Sequence, residues 1–170
     1  MLEEGESKAD VSRRQLDTNT LIPIATPIAA QPLVELALLM RNANGRQNIY
    51  ALHVRNDNSS TSRALGRRSL EQAQKSAASV DAAIIPIERY DMSTPIGILN
   101  TIEERDITEV ILGMHRKALV IDSFFGPMIE HLLKTTNKML MISRCYVPLN
   151  TITRIVVSVP PKAQYETGFR

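Results

Sequence analysis

Tryptophan is absent from this chain of 170 residues and only 4% of its residues are aromatic, so no interior can be built around large rings. Packing falls instead to Ile, Leu, Val, Ala and Met, within a 44% hydrophobic share that suits one domain of ordinary size plus tails. A single cysteine, Cys145, excludes an internal disulfide and fits a reducing setting. Charge of neither sign prevails: 20 basic and 18 acidic residues leave +2, and no clustered basic face argues for nucleic acid. No apolar run approaches the ~20 residues of a membrane span. The opening Met1-Leu2-Glu3-Glu4-Gly5-Glu6 lacks the order of a signal peptide. A soluble chain is expected.

Catalytic spacing is missing as well. His53, His115 and His131 are too scattered for a metal site. His53 falls in a strand, where a hydrogen-bonded histidine is the usual case, and His131 on a helix reads as solvated. Cys145 has no histidine beside it and reads as a buried small apolar residue. Asp122-Ser123 suits a helix cap. With no triad, paired carboxylate or zinc spacing, no enzyme is expected.

What is present is concentrated between Glu109 and Ser143. The apolar run Val110-Ile111-Leu112 stops at Gly113, a basic loop Met114-His115-Arg116-Lys117 follows, and a second glycine comes at Gly126. Phe125, Met128, Ile129, Leu132 and Leu133 then repeat with helical spacing, and Lys138–Ile142 reads as a buried strand. In an open α/β sheet this order builds an anion site. Glycine lets the backbone approach the ligand, and the helix N-terminus supplies free N–H groups.

The remaining chain repeats the alternation. Residues 1–18 are polar and aperiodic, a linker or flexible arm. Leu21–Ala25 reads as a strand, with Pro23 tolerable only where no ladder donor is needed. A helix is expected from Ala29 to Asn42 (Leu33, Leu36, Ala37 and Met40 inward), stopped at Asn44-Gly45. Asn48–Val54 is the second strand. Arg63–Val80 is a helix with Leu70, Ala73, Ala77 and Val80 inward, and Ala82–Ile87 the third strand. Thr94-Pro95 opens a helix carrying Ile96, Leu99 and Ile102 as its N-cap and first position. The pattern predicts an open, mainly parallel five-stranded sheet with helices on both faces, whose ligands sit beyond the carboxyl ends of the strands where strand order reverses. Ile152–Val159 is a further strand-like run broken by Pro160-Pro161. It is either an extra edge strand or the first strand of a second, truncated copy, since Leu21–Pro27 has the same shape.

Gly113, two residues, Arg116, nine residues, then Gly126-Pro127 follows the spacing of the nucleotide-binding signature of the universal stress protein family, which the chain resembles over about Thr20 to Cys145. Leu52-His53-Val54 is similar to a strand of that family. The resemblance implies an adenine-nucleotide-alpha-hydrolase-like fold and a nucleotide site at Ile24, Ala25, Val54, Gly113, His115, Arg116, Gly126 and Pro127. Three positions depart from the family pattern. Arg116 stands for the second glycine, Pro127 for a Ser or Thr, and Ala25 for an aspartate that would face adenine. The loss of N–H, hydroxyl and carboxylate implies weak binding of an adenine nucleotide at most.

Leu21–Ala25, Val159–Ala163 and Tyr165–Phe169 also look like the cytosolic tandem domains of bacterial monovalent cation:proton antiporters. That resemblance implies a regulatory and dimerisation domain on the cytoplasmic side of the inner membrane. The Na+ or K+:proton transport domain of the same parent chain would precede residues 1–18, residues 19–145 would form one domain, and residues 146–170 would lead into a second copy. A free-standing, nucleotide-binding stress protein is the alternative. In the first case the last strand is expected to pair with Lys138–Ile142 either within the chain or across a two-fold axis with a second copy, and the homodimer is the favoured of the two.

Overall fold

Strand and helix alternate from Thr18 to Ser143 because short β-branched runs, each broken by a polar turn, alternate with stretches of helical apolar spacing. The computed structural model describes residues 18–41, 46–114, 126–145, 147–156, 158, 159 and 161. The elements are β1 (Thr18–Pro23), α1 (Pro27–Leu39), β2 (Gln47–Arg55), α2 (Ser60–Ala78), β3 (Ile85–Tyr90), α3 (Thr94–Glu104), β4 (Glu109–Gly113), α4 (Pro127–Thr135) and β5 (Met139–Ser143). The strands form one sheet in the order β3-β2-β1-β4-β5, and every described ladder is parallel.

Side-chain alternation along β1 divides the core in two. Ile22 and Ile24 face α1 and α2, joined by Ile49, Ala51 and Ile111. Leu21 faces the other way, toward α3 and α4, with Leu52, Val110 and Leu112. Helices therefore cover both faces, as expected. Fully buried residues such as Leu21, Ile22, Ile98 and Leu132 each stabilise the fold by roughly 1.5–3 kcal/mol.

Helix ends shift from the sequence reading where caps decide. Ser59 Oγ accepts the Ser62 N–H at 3.1 Å and starts α2 at Ser60 rather than Arg63. Ser93, in extended conformation, is the cap of α3, so Thr94 is already helical. Gly126 takes φ +80, a conformation that favours glycine, and turns the chain into α4 at Pro127. Asn44-Gly45 and Asp122-Ser123 lie outside the described residues.

Five other expectations are corrected. The first strand begins at Thr18, inside the span read as arm, because its main chain already pairs with Gln47 there. The third strand is Ile85–Tyr90, not Ala82–Ile87, because pairing with Tyr50–Arg55 sets its register. Val80 (61% exposed) lies past the last turn of α2. Leu133 is exposed, because α4 turns Ile129 and Leu132 to the sheet. Likewise Ile98 is buried in the first turns of α3, together with Gly97, whereas Ile96 is exposed.

The extra C-terminal strand does not form among the described residues. Ile152–Val156 has no strand pairing and its side chains are exposed. After β5 the chain runs inward instead: Cys145 Sγ lies 4.0 Å from the Pro32 carbonyl oxygen, and a 3-10 turn at Leu149–Thr151 packs on α1. That path leads the tail away from the outer side of β5. No described helix is long and apolar enough to cross a membrane.

Candidate functional site

β1 runs to β2 on one side and meets β4 on the other, so strand order reverses at β1. The β1–β4 ladder is short, pairing Thr20 with Glu109 and Leu21 with Val110. Pro23 explains its end. Ile24 donates its N–H to Leu52 O at 2.8 Å, so even residues of β1 face β2 and the donor position of residue 23 faces β4. Proline has no donor to offer there. β1 and β4 part, and a cleft of about 950 Å³ opens at the carboxyl ends of the strands. This is the place where the missing ladder donor is not needed.

Ile24, Ala25, Val54 and Gly113 line this cleft. Their roles differ. Ile24 is 2% exposed and both of its main-chain groups are taken, the N–H by Leu52 and the carbonyl by His53 Nδ1 at 2.8 Å. A carbonyl only accepts, so Nδ1 of His53 carries the proton. Continuing the parallel ladder would have given that carbonyl to the Val54 N–H. The imidazole replaces it, and the Val54 N–H meets no main-chain partner among the described residues. Even residues of β2 face β1, which has ended, so the N–H and C=O of Val54 point toward the cleft. That adjacent donor and acceptor match the edge of a flat heterocycle.

His53 is thus a buried, hydrogen-bonded strand histidine, 4% exposed. Gly66 of α2 leaves room for it: a Cβ there would stand 2.8 Å from His53 Cδ2 and 3.2 Å from Glu88 Oε1. Gly97 of α3 does the same over Val54, at 2.7 Å from Cγ1. Two helix glycines therefore let α2 and α3 press on β2 where it borders the cleft.

The charged rim is largely self-satisfied. Arg55 Nε approaches Glu88 Oε1 at 2.5 Å, and Nη1 donates to Asp57 O at 3.1 Å and Asn58 Oδ1 at 3.2 Å. Its guanidinium also lies 5.8 Å from the centre of the Tyr90 ring. Asp57 accepts the Ser59 N–H at 2.8 Å. Hydrogen bonding by the Ser59 side chain, then by its N–H, holds the Asp57 carboxyl below the usual carboxylate range. Ser143 Oγ and Cys145 Sγ are 3.3 Å apart on the opposite wall. Cys145 is half-buried rather than buried, because it borders the opening.

At the anion end the fit is partial. A Cβ at Gly113 would stand 3.1 Å from Leu33 Cδ1, whereas a Cβ at Gly126 would have nothing within 4 Å among the described residues. Donors are fewer than the shape suggests. Pro127 contributes no N–H, and Glu130 donates to Gly126 O at 3.1 Å, leaving Met128 and Ile129 as the unspent amides of the first turn. Ala25 offers the cleft a methyl and no polar side-chain group. His115 and Arg116 lie outside the described residues. Gly126 and Pro127 do not line the cleft themselves, but Met128, next in sequence, does.

The sequence pointed to no ligand role for Thr26, Arg55 or Asp57, and it read Thr94 as a helix cap and Met128 as a helix-face residue, yet all of these border the cleft, as does Met114 of the expected anion loop. The polar loop after Val54 was the available signal for Arg55 and Asp57. Among the described residues no group of three or more His, Cys, Asp or Glu could hold a metal ion.

No family model matches the chain, and no curated protein does. Solved structures do match. A universal stress protein from Archaeoglobus fulgidus aligns with TM-score 0.59 at 14% identity, over 74% of this chain and 97% of that one. The same protein in complex with dAMP gives 0.60 at 13%, over 75% and 98%. A universal stress protein from Lactobacillus plantarum gives 0.60 at 17%, over 74% and 96%. The five-stranded parallel sheet with its helices is the fold of these universal stress proteins.

Proposed function

We propose that this chain is a non-catalytic regulatory domain whose nucleotide cleft has degenerated, and that it serves the cytoplasmic side of a bacterial cation:proton antiporter. The observation that carries the degenerate site is the mismatch within the cleft. Val54 still presents a donor and acceptor suited to a heterocycle, while Ala25 and Pro127 remove a base acceptor and an anion donor. A relative of the same fold has been solved in complex with dAMP, which supports reading this cleft as the ligand site. The antiporter context rests on the resemblance of Leu21–Ala25 and of residues 159–163 and 165–169 to such tails. The exposed apolar segment after β5 adds support, since a domain embedded in a larger assembly has surfaces to cover.

Isothermal calorimetry tests the site. We expect no ATP binding tighter than about 100 μM, roughly 5.5 kcal/mol. Arg116→Gly alone restores nothing, whereas Ala25→Asp combined with Pro127→Ser strengthens binding. A micromolar dissociation constant in the natural chain would sink the degenerate reading. The antiporter context is tested by the genomic reading frame that contains the chain, which then encodes many apolar spans upstream of Met1. The second reading, a free-standing protein that binds an adenine nucleotide, is favoured by a sheet whose five strands all come from this chain. Micromolar ATP binding together with a frame lacking apolar spans is its outcome.

A further inference from the structure

We propose that His53 is a positioning residue that decides which of two states the floor of the cleft adopts. While its Nδ1–H holds the Ile24 carbonyl, the β1–β2 ladder stops early and the Val54 main chain stays open to a ligand. Without that bond the ladder gains one rung and the open edge closes. The inference rests on reading the cleft as a ligand site, but not on which ligand it takes.

Ile49 and Ala51 turn to the α1–α2 face of β2 and fill it with apolar atoms. His53 comes next in the same series, 4% exposed, where alternation calls for another apolar side chain. Its ring needs room, and Gly66 of α2 supplies it. It also needs a polar partner. Glu88 stands opposite His53 in the β2–β3 ladder, but its carboxylate is held by Arg55. The Ile24 carbonyl serves instead, at 2.8 Å from Nδ1.

That carbonyl has a second claimant. Ile24 still donates its N–H to Leu52 O, so it is in register for the Val54 N–H to pair with its carbonyl. The bend into α1 comes at Ala25 and Thr26, after the position of that rung, and does not forbid it. Val54 is fixed from the other face, where Gly97 lets α3 close on its side chain. A buried carbonyl stripped of its donor is costly, so loss of the imidazole leaves the Val54 N–H next in line. The new rung would spend that donor and draw Ala25 toward β2.

Amide hydrogen exchange followed by NMR reads this lock with no ligand present, whereas calorimetry reads the occupant, so the two readings can fail separately. In the natural chain the Val54 amide should exchange at least about tenfold faster than that of Leu52 inside the ladder. Nitrogen shifts of the neutral imidazole should place its proton on Nδ1. His53→Leu keeps bulk without a donor and should slow Val54 at least about tenfold. In His53→Asn the amide nitrogen can stand where Nδ1 stands, and Val54 should stay within about threefold of its natural rate. Thermal unfolding followed by circular dichroism reports whether each variant folds, and His53→Val replaces His53→Leu if the latter does not. Val54 as slow as Leu52 in the natural chain, or a proton on Nε2, overturns the proposal. So does a folded His53→Leu with Val54 at its natural rate, which would mean that the bend into α1 alone withholds the carbonyl. His53→Asn slowing Val54 as much as His53→Leu overturns it as well.

Discussion

Gly66 and Gly97 show how much a missing side chain can decide. Alanine is the better helix former by about 1 kcal/mol, so either substitution would be stabilising in an isolated helix. Over this sheet the sign reverses. The new methyl at residue 66 would meet the edge of the His53 ring at 2.8 Å, and at residue 97 both methyls of Val54 within 2.8 Å. Neither neighbour is a flexible chain end. Gly66→Ala is therefore expected to cost roughly 1–3 kcal/mol in urea unfolding as an overpacking substitution. An unchanged midpoint would mean that α2 can lift from β2 freely. Nothing local in the sequence marks Gly66 as a point of close approach, because the surface that needs the space lies elsewhere in the chain.

At the scale of elements, α4 carries the clearest expectation. Leu132 is fully buried and Ile129 nearly so, both against the sheet face formed by Leu21, Val110 and Leu112. Leu132→Ala should cost roughly 2–5 kcal/mol in denaturant melts. A loss below about 1 kcal/mol would mean that this face can close over the gap. The link between β3 and α3 is electrostatic. Arg89 forms an ion pair with Asp91 and a two-point pair with Glu104 at 2.6 and 2.9 Å. Hydrogen bonding from Arg89 holds both carboxyls below their ordinary values, 3.8 for Asp91 and 4.5 for Glu104. Because the folded values are depressed, the unfolded chain binds more protons as the medium acidifies. The contribution is complete above about pH 4.5 and is lost as pH falls through the folded values. Urea midpoints measured from pH 6 to about pH 3 should therefore fall less steeply in Arg89→Leu than in the natural chain. Parallel slopes would show that the triad does not contribute.

For the whole molecule, linkage offers a check on the cleft that does not depend on detecting binding heat. With a dissociation constant above about 100 μM, 1 mM ATP can stabilise the fold by no more than about 1.4 kcal/mol. The thermal midpoint should rise by only a few degrees at most; a larger rise would indicate a competent nucleotide site. The architecture was legible in advance because period-two and period-3.6 apolar patterns alternate along the chain, and alternation of that kind has one common solution, a parallel sheet covered on both faces. Ala25, Val54 and Gly113 were legible as cleft residues because in that solution the strand ends always meet on one side. By itself, then, the sequence determined the element types, the two-faced core and the end of the sheet that carries the cleft, since these follow from local periodicity and from rules of connection. Only the tertiary structure decided that Pro23 parts β1 from β4, that His53 takes the Ile24 carbonyl and leaves the Val54 main chain to the cleft, and that Ile152–Val156 stays off the sheet. Each of these depends on which groups from distant parts of the chain compete for one hydrogen bond or one open edge, and no local pattern records that competition.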